Sequence, residues 1–324
     1  MIVKDKIYGQ FEITEPVLVD LIKSKPVQRL KGIDQWLAHG FNLFEGFSRY
    51  EHSVGVLLLL KRFKRPFEEQ IAGLLHDIAH PVFSHVIDWV YGHEENEDFH
   101  EKNVLKFVLK SEIPQIIKKY GYSLETILNS NNFKLLERDI PNLCADRIDY
   151  ALREYHYWTD PELVNPCLDN LKVYRDKFVF TDVGIAKKFS LNFLKCQTEH
   201  WSADKQVLRF YLLSKLLSFA VHNGILSEED FFKEDKFVLK KLFEANDPFV
   251  QKILKEFKYP KMDPEGELLH LKKKFRYVNP FILKGNKLSR LSNLDAEFKK
   301  ELTRQKNLKE KGVSVYLPKD LVLT

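Results

Sequence analysis

The longest apolar run in the chain, Val54 to Leu60, is interrupted only by Gly55 and is far too short to cross a bilayer. Just before it, Ser48 and Glu51 have capping-box spacing, which predicts a helix starting at Arg49 with His52 in its first full turn. Apolar residues at 71, 74, 75 and 78 keep helical period, and Pro66, Glu68 and Glu69 suit the start of that helix. It should end near His80, because Pro81 pushes the residue before it out of the α region.

The same pattern places elements elsewhere. A short strand in "KIYGQFEI" precedes a helix opened by Pro16, and a second helix is expected from Pro26 to His39, stopped by Gly40. "LCADRIDYALREY" is helical, with Cys144, Ile148, Ala151 and Tyr155 as its apolar stripe. Asp146, Asp149, Tyr150 and Glu154 lie at helical spacing on a different face. "LKVYRDKFVFTD" reads as a hairpin around Arg175, Asp176 and Lys177. A long helix from Val183 to His222, broken near Glu199, ends at Gly224, and shorter helices and a strand "VSVYLP" follow Asp247. The fold class is therefore mainly α with short β-hairpin and strand additions.

Composition narrows the picture. The chain of 324 residues is 44% hydrophobic and 30% charged, a globular balance, and no Ser/Gly linker or internal repeat divides it. Cys144, Cys167 and Cys196 are too few and too scattered for a disulfide framework or a thiolate zinc site. They read as reduced thiols, and "MIVKDKIYGQF" lacks the apolar core of a signal peptide, so a cytoplasmic, non-membrane protein is expected.

Candidate chemistry concentrates in one region, since seven of the 11 histidines fall between His39 and His100. "LLHDIAHPVFSH", Leu74 to His85, sets His76, Asp77, His80 and His85 beside a buried run. A lone histidine on an apolar face is ordinarily a satisfied core residue, but this clustering is not ordinary. Imidazoles with carboxylates suit a divalent first-row metal, and such an ion lowers the pKa of a water it binds. His39, His93, His156, His222 and Trp36 read as structural, and Glu94, Glu95 and Glu97 as a solvated acidic loop.

Four blocks in order, "RYEHSVGV", "LLHDIAHPVFSH", "FHEKN" and "CADRIDYALRE", resemble the HD-domain phosphohydrolases. The resemblance implies an HD-domain helical fold with His52, His76, Asp77 and Asp146 as metal ligands. The entry segment Lys4 to Ile33, with "HPVFSH" and "DRIDYALRE", is similar to the deoxynucleoside triphosphate triphosphohydrolase branch. Those enzymes split a dNTP into deoxynucleoside and triphosphate and often assemble as oligomers. By that likeness His80, His85 and His100 serve catalysis, and Gln28, Arg49, Tyr150 and Glu154 hold substrate. Asp149 is assigned to orienting a ligand or an arginine. Which of Mn, Fe, Ni, Co, Zn or Mg is used stays open. Lys6 and Tyr8 replace the proline and histidine usual in the branch, and only His200 roughly matches its later phosphate-holding helix. The metal chemistry therefore transfers further than the substrate.

Net charge is +5 and uneven: from Lys255 to Thr324 there are 17 Lys+Arg against 9 Asp+Glu, which leaves −3 for the rest. We accordingly expect a phosphohydrolase core over 1–224, including the entry segment, and a basic helical extension over 225–324 packed on it. The leading function is dNTP triphosphohydrolysis, with a homo-oligomer expected. The alternatives are a nucleotidase or phosphodiesterase acting on another ester, or a catalytically weak HD protein that binds nucleic acid through the basic extension.

Overall fold

The computed structural model describes residues 1–37, 45–309, 311–318 and 321. It opens with the hairpin β1 (Ile2–Asp5) and β2 (Gly9–Glu12), followed by α1 (Pro16–Lys23) and α2 (Lys25–Arg29). The expected long second helix is a correction: after α2 the chain tightens into a 3₁₀ turn at Leu30–Gly32, and Ile33 is extended. Asp34 then bridges to Ser48 instead of continuing a helix. His39 and Gly40 lie outside the described residues.

At the centre is α3 (Arg49–Arg62), started by the Ser48/Glu51 capping box. Every residue from His52 to Leu60 is buried, so this helix has no solvent face. It packs against α4 (Phe67–Leu75). That helix stops five residues short of His80, a second correction. The His76 ring bonds the Gly73 carbonyl at 2.8 Å, the group to which a continuing helix would bind the Asp77 N–H. Tighter turns replace the α ladder, with Ile78 N–H bonding Leu75 O at 3.0 Å and His80 N–H bonding Asp77 O at 2.9 Å. This unwinding leaves His76 and Asp77 at an open helix end.

Next come α5 (Val86–Val90), α6 (Phe99–Leu109), α7 (Ile113–Lys119), α8 (Leu124–Leu128) and α9 (Ala145–Glu154), which packs back on α3. α9 widens into a π turn at Tyr155–Thr159. After α10 (Val164–Asn170), the expected hairpin forms as β3 (Leu171–Val173) and β4 (Phe178–Phe180). The long helical stretch is broken where expected: α11 (Val183–Cys196) ends in a π turn at Gln197–Trp201 before α12 (Asp204–His222).

Later elements are α13 (Asp235–Glu244), α14 (Pro248–Lys258), β5 (Leu268–Leu271), β6 (Phe281–Lys284), β7 (Lys287–Arg290), α15 (Leu291–Leu294), α16 (Ala296–Lys309) and β8 (Val313–Tyr316). They do not stand apart from what precedes them. β6 pairs parallel with β4 in a sheet ordered β3-β4-β6-β7, while β5 pairs β8. One apolar cluster joins α3 and α4 to Val278, Ile282 and Phe298, and a second joins Val82–Ile87 to α12 and α14. Among the described residues no helix is long and apolar enough to cross a membrane. The architecture is mainly α with small sheets.

Candidate active site

α3, the unwound end of α4 and the start of α9 bring four metal-type ligands together. His52 Nε2 lies 3.2 Å from His76 Nε2 and 3.1 Å from Asp146 Oδ1. Asp77 completes the group, its Oδ1 3.6 Å from His76 Nε2 and its Oδ2 3.7 Å from His52 Nε2. The remaining ring nitrogens fix the tautomers. His76 Nδ1 faces the Gly73 carbonyl, which can only accept, and His52 Nδ1 faces Asp149 Oδ2 at 2.7 Å. Burial would raise the Asp149 carboxyl, but Arg153 above all keeps it low and ionised. Both Nδ1 atoms therefore donate, and two Nε2 lone pairs converge at 3.2 Å. A divalent cation between them fits; two bare lone pairs do not. Burial opposes a charge on His76, yet Asp77 and Asp146 bring its pKa up to about 10, so without a cation its Nε2 holds a proton, and a divalent cation would take that proton's place. Burial would also raise Asp77, but Arg49 and the neighbouring imidazoles hold it well below the usual carboxylate range.

Beside the metal group stand His80, His85 and His100, all buried, with ring nitrogens within 4.8 Å of one another. His80 and His100 stack at 4.0 Å between centroids. Burial, with Arg49 close by, holds His80 and His85 well below ordinary histidine and His100 at about 4. They are neutral at pH 7 and able to hydrogen-bond or shuttle a proton. Arg49 joins the two groups, with Nη1 on Asp77 Oδ2 at 2.6 Å and Nε on Ser84 Oγ at 2.9 Å. Arg49, Asp77, His80, His85 and His100 border a cavity of about 120 Å³ that also takes in Asp146 and Tyr150, whereas His52 and His76 do not line it.

Two expected substrate contacts are placed elsewhere. Gln28 donates to the Ile22 carbonyl at 2.6 Å and does not border the cavity, because the early end of α2 keeps it against α1. Gln35, in the extended segment that replaced the expected helix, lines it instead. Glu154 is fully buried, accepting from Trp201 Nε1 at 3.0 Å, and burial raises its carboxyl well above the usual range. It therefore supports the stacked Trp36–Trp201 pair, whose rings lie 5.4 Å apart. Trp36, read as structural, forms a cavity wall shared with a larger aromatic cleft containing Trp158 and His200. Glu97, read as solvated, is 2% exposed and ion-paired to Arg276.

Several residues were missed. Asp88 Oδ2 lies 3.1 Å from His85 Nδ1 and its Oδ1 accepts from Phe99 N–H at 2.9 Å, tying His85 to the start of α6 and His100. Its three-residue spacing from His85 is a signal that could have been read. Arg147, Lys274 and Arg276 also line the cavity. Arg147 directly follows Asp146, whereas nothing in "LKKKFRYVNP" distinguishes the residues that turn inward.

The HD domain family matches residues 49–153, the segment that carries all four metal-type ligands. Over 98% of this chain and 100% of the relative, the sequence is 35% identical to Uncharacterized protein YdhJ of Bacillus subtilis. Metal-dependent phosphohydrolase cns2 of Cordyceps militaris is 41% identical over 48% of this chain and 45% of its own length. Deoxynucleoside triphosphate triphosphohydrolase SAMHD1 of Bos taurus is 38% identical over 27% of this chain and 17% of its own. With a relative that matches it from end to end and a family segment that brackets the paired histidines and aspartates, this chain belongs to the HD-domain family of metal-dependent phosphohydrolases.

Proposed function

We infer that the protein hydrolyses nucleotides, releasing intact triphosphate from a dNTP. The observation that supports this reading best is the meeting of a two-histidine, two-aspartate metal group with several cations around one small cavity. Arg49, Arg147, Lys274 and Arg276 face it together with three neutral histidines. Water attack on phosphorus spreads negative charge over non-bridging and leaving oxygens, which such a wall stabilises. A divalent ion held by His52, His76, Asp77 and Asp146 supplies Lewis acidity toward water and phosphate when bound. Arg49, anchored on Asp77, orients the phosphate beside those ligands. We assign His85 and His100 to relaying a proton toward the leaving oxygen as neutral imidazoles, with Asp88 beside the His85 ring. The partial likeness to SAMHD1 supports the substrate class. We carry the homo-oligomer and the cytoplasm as part of this reading.

A second reading, hydrolysis of a smaller phosphate ester at the same metal, is favoured by the cavity's size. Its volume of about 120 Å³ is below the roughly 300–1,000 Å³ of ordinary ligand pockets. Product analysis separates the two. Protein supplied with Mn, Mg, Ni or Co is incubated with dNTPs, NTPs, monophosphates and a cyclic dinucleotide, with Asp77→Ala as control. Deoxynucleoside plus intact triphosphate, absent from the control, is the expected outcome. Release of orthophosphate from monophosphates alone, or cleavage of the diester alone, would replace the substrate. Unchanged activity in Asp77→Ala would remove the mechanism.

A further inference from the structure

We propose that Arg276, carried in from the basic C-terminal segment, touches the substrate at a second phosphate and so selects substrates with at least two linked phosphates. The inference rests on reading this pocket as a phosphate site. Arg276 is 8% exposed. Its Nη2 is ion-paired with Glu97, its backbone N–H bonds Gln197 Oε1 at 3.0 Å, and the Trp36 ring lies 6.0 Å from its guanidinium carbon. Its Nη1, although buried, has no partner among the described residues. Arg49, 3% exposed, is built alike: Nη1 and Nε are engaged, and buried Nη2 has no partner among the described residues.

Buried donors are rarely left unpaired, and both guanidinium groups border the same cavity. Each is fixed on one side with an N–H free on another, a geometry that matches phosphate oxygens. Lys274, whose Nζ bonds Asn96 O at 3.0 Å, adds a cation from the same segment. Arg49 is bound to the metal group through Asp77, so the phosphate under attack belongs to it. Arg276 is tied instead to the loop before α6, and its free donor is left for a neighbouring phosphate.

A merely structural Arg276 would staple the segment to Glu97 and nothing more. The two roles separate by calorimetric titration of the magnesium-loaded full chain with magnesium pyrophosphate and with orthophosphate, fold being checked by thermal melts. Arg276→Gln is expected to weaken pyrophosphate binding roughly tenfold or more and orthophosphate binding less than about threefold. Glu97→Gln breaks the same ion pair but frees the guanidinium, so it should bind pyrophosphate as tightly as wild type or tighter. Arg276→Lys keeps the charge and should retain part of the binding even if the glutamine variant folds poorly. Equal losses for both anions, or a loss in Glu97→Gln matching Arg276→Gln, would overturn the proposal. Wild-type protein that binds pyrophosphate through Arg276 but hydrolyses no nucleotide would remove the proposed function and leave this inference standing. Hydrolysis indifferent to Arg276 would do the reverse.

Discussion

Gly55 sits in the middle of α3, where glycine costs about 1 kcal/mol of helix propensity relative to alanine. A Cβ there would lie 2.0 Å from Asp149 Oδ1 and 2.1 Å from Arg153 Nη2. Neither atom can swing away freely, because Asp149 holds His52 and Arg153 reaches on to Asp5 Oδ2 at 2.8 Å. The glycine is the space through which α9 delivers the carboxylate that sets the His52 tautomer. Gly55→Ala should therefore lower metal affinity by about 10- to 100-fold, the usual range for disturbing a ligand's hydrogen-bond partner. Metal titration by calorimetry reads this directly. Unchanged affinity with a raised melting temperature would show that propensity alone governs the position. At this scale the sequence was most legible where a motif is local: His52, His76, Asp77 and Asp146 are brought together as their blocks implied. It was least legible where partners are distant. Lys272 and Lys274 are two residues apart, yet Lys272 is an exposed partner of Glu95 while Lys274 lines the cavity.

Elements were legible in type and misread at their ends. The capping box fixed the start of α3, whereas the end of α4 depended on a histidine side chain taking a carbonyl, which no periodicity reports. The turn after it is similarly held from afar. Phe83 and Ser84 have left-handed φ values of 55° and 52°, a conformation costing roughly 1–3 kcal/mol per non-glycine residue. Asp235, the first residue of α13, accepts from Phe83 N–H at 2.7 Å and Asp34 N–H at 2.9 Å, and Ser84 then receives Arg49. Asp235→Ala removes the acceptor of the Phe83 and Asp34 N–H bonds, at about 1–3 kcal/mol each. The effect should depend on pH. Burial, reinforced by Asp34, raises the Asp235 pKa to about 8. In the unfolded chain it returns to roughly 4, so folding takes up a proton between those values. The stabilisation from that proton is complete below the unfolded pKa and is lost as pH rises toward 8. Urea unfolding should thus show the gap between wild type and Asp235→Ala narrowing from pH 5 to pH 8.5. A gap that widens would mean the carboxylate is ionised in the fold.

For the whole molecule, the question is whether the later third is an appendage or part of the building. The sheet answers first: β4 finds its parallel neighbour in β6, about a hundred residues on, so a chain ending near Gly224 would expose the buried Val179 and Phe180 along that edge. The core answers next. Val278, Ile282, Leu291, Phe298 and Leu302 belong to the same apolar cluster as α3 and α4. At about 1.5–3 kcal/mol for each buried side chain, these five match the about 5–15 kcal/mol that holds a typical domain together. The site answers last, since Asp235, Lys274 and Arg276 all come from this region and touch the turn or the cavity. A fragment 1–224 keeps all four metal-type ligands in its sequence, yet it should give no cooperative thermal transition and should not hold metal through dialysis. Circular dichroism melts and metal analysis after gel filtration would show it. A fragment that melts cooperatively and retains one metal per chain would make the later third a true extension, and the pocket's cations from it an embellishment of a core that stands alone.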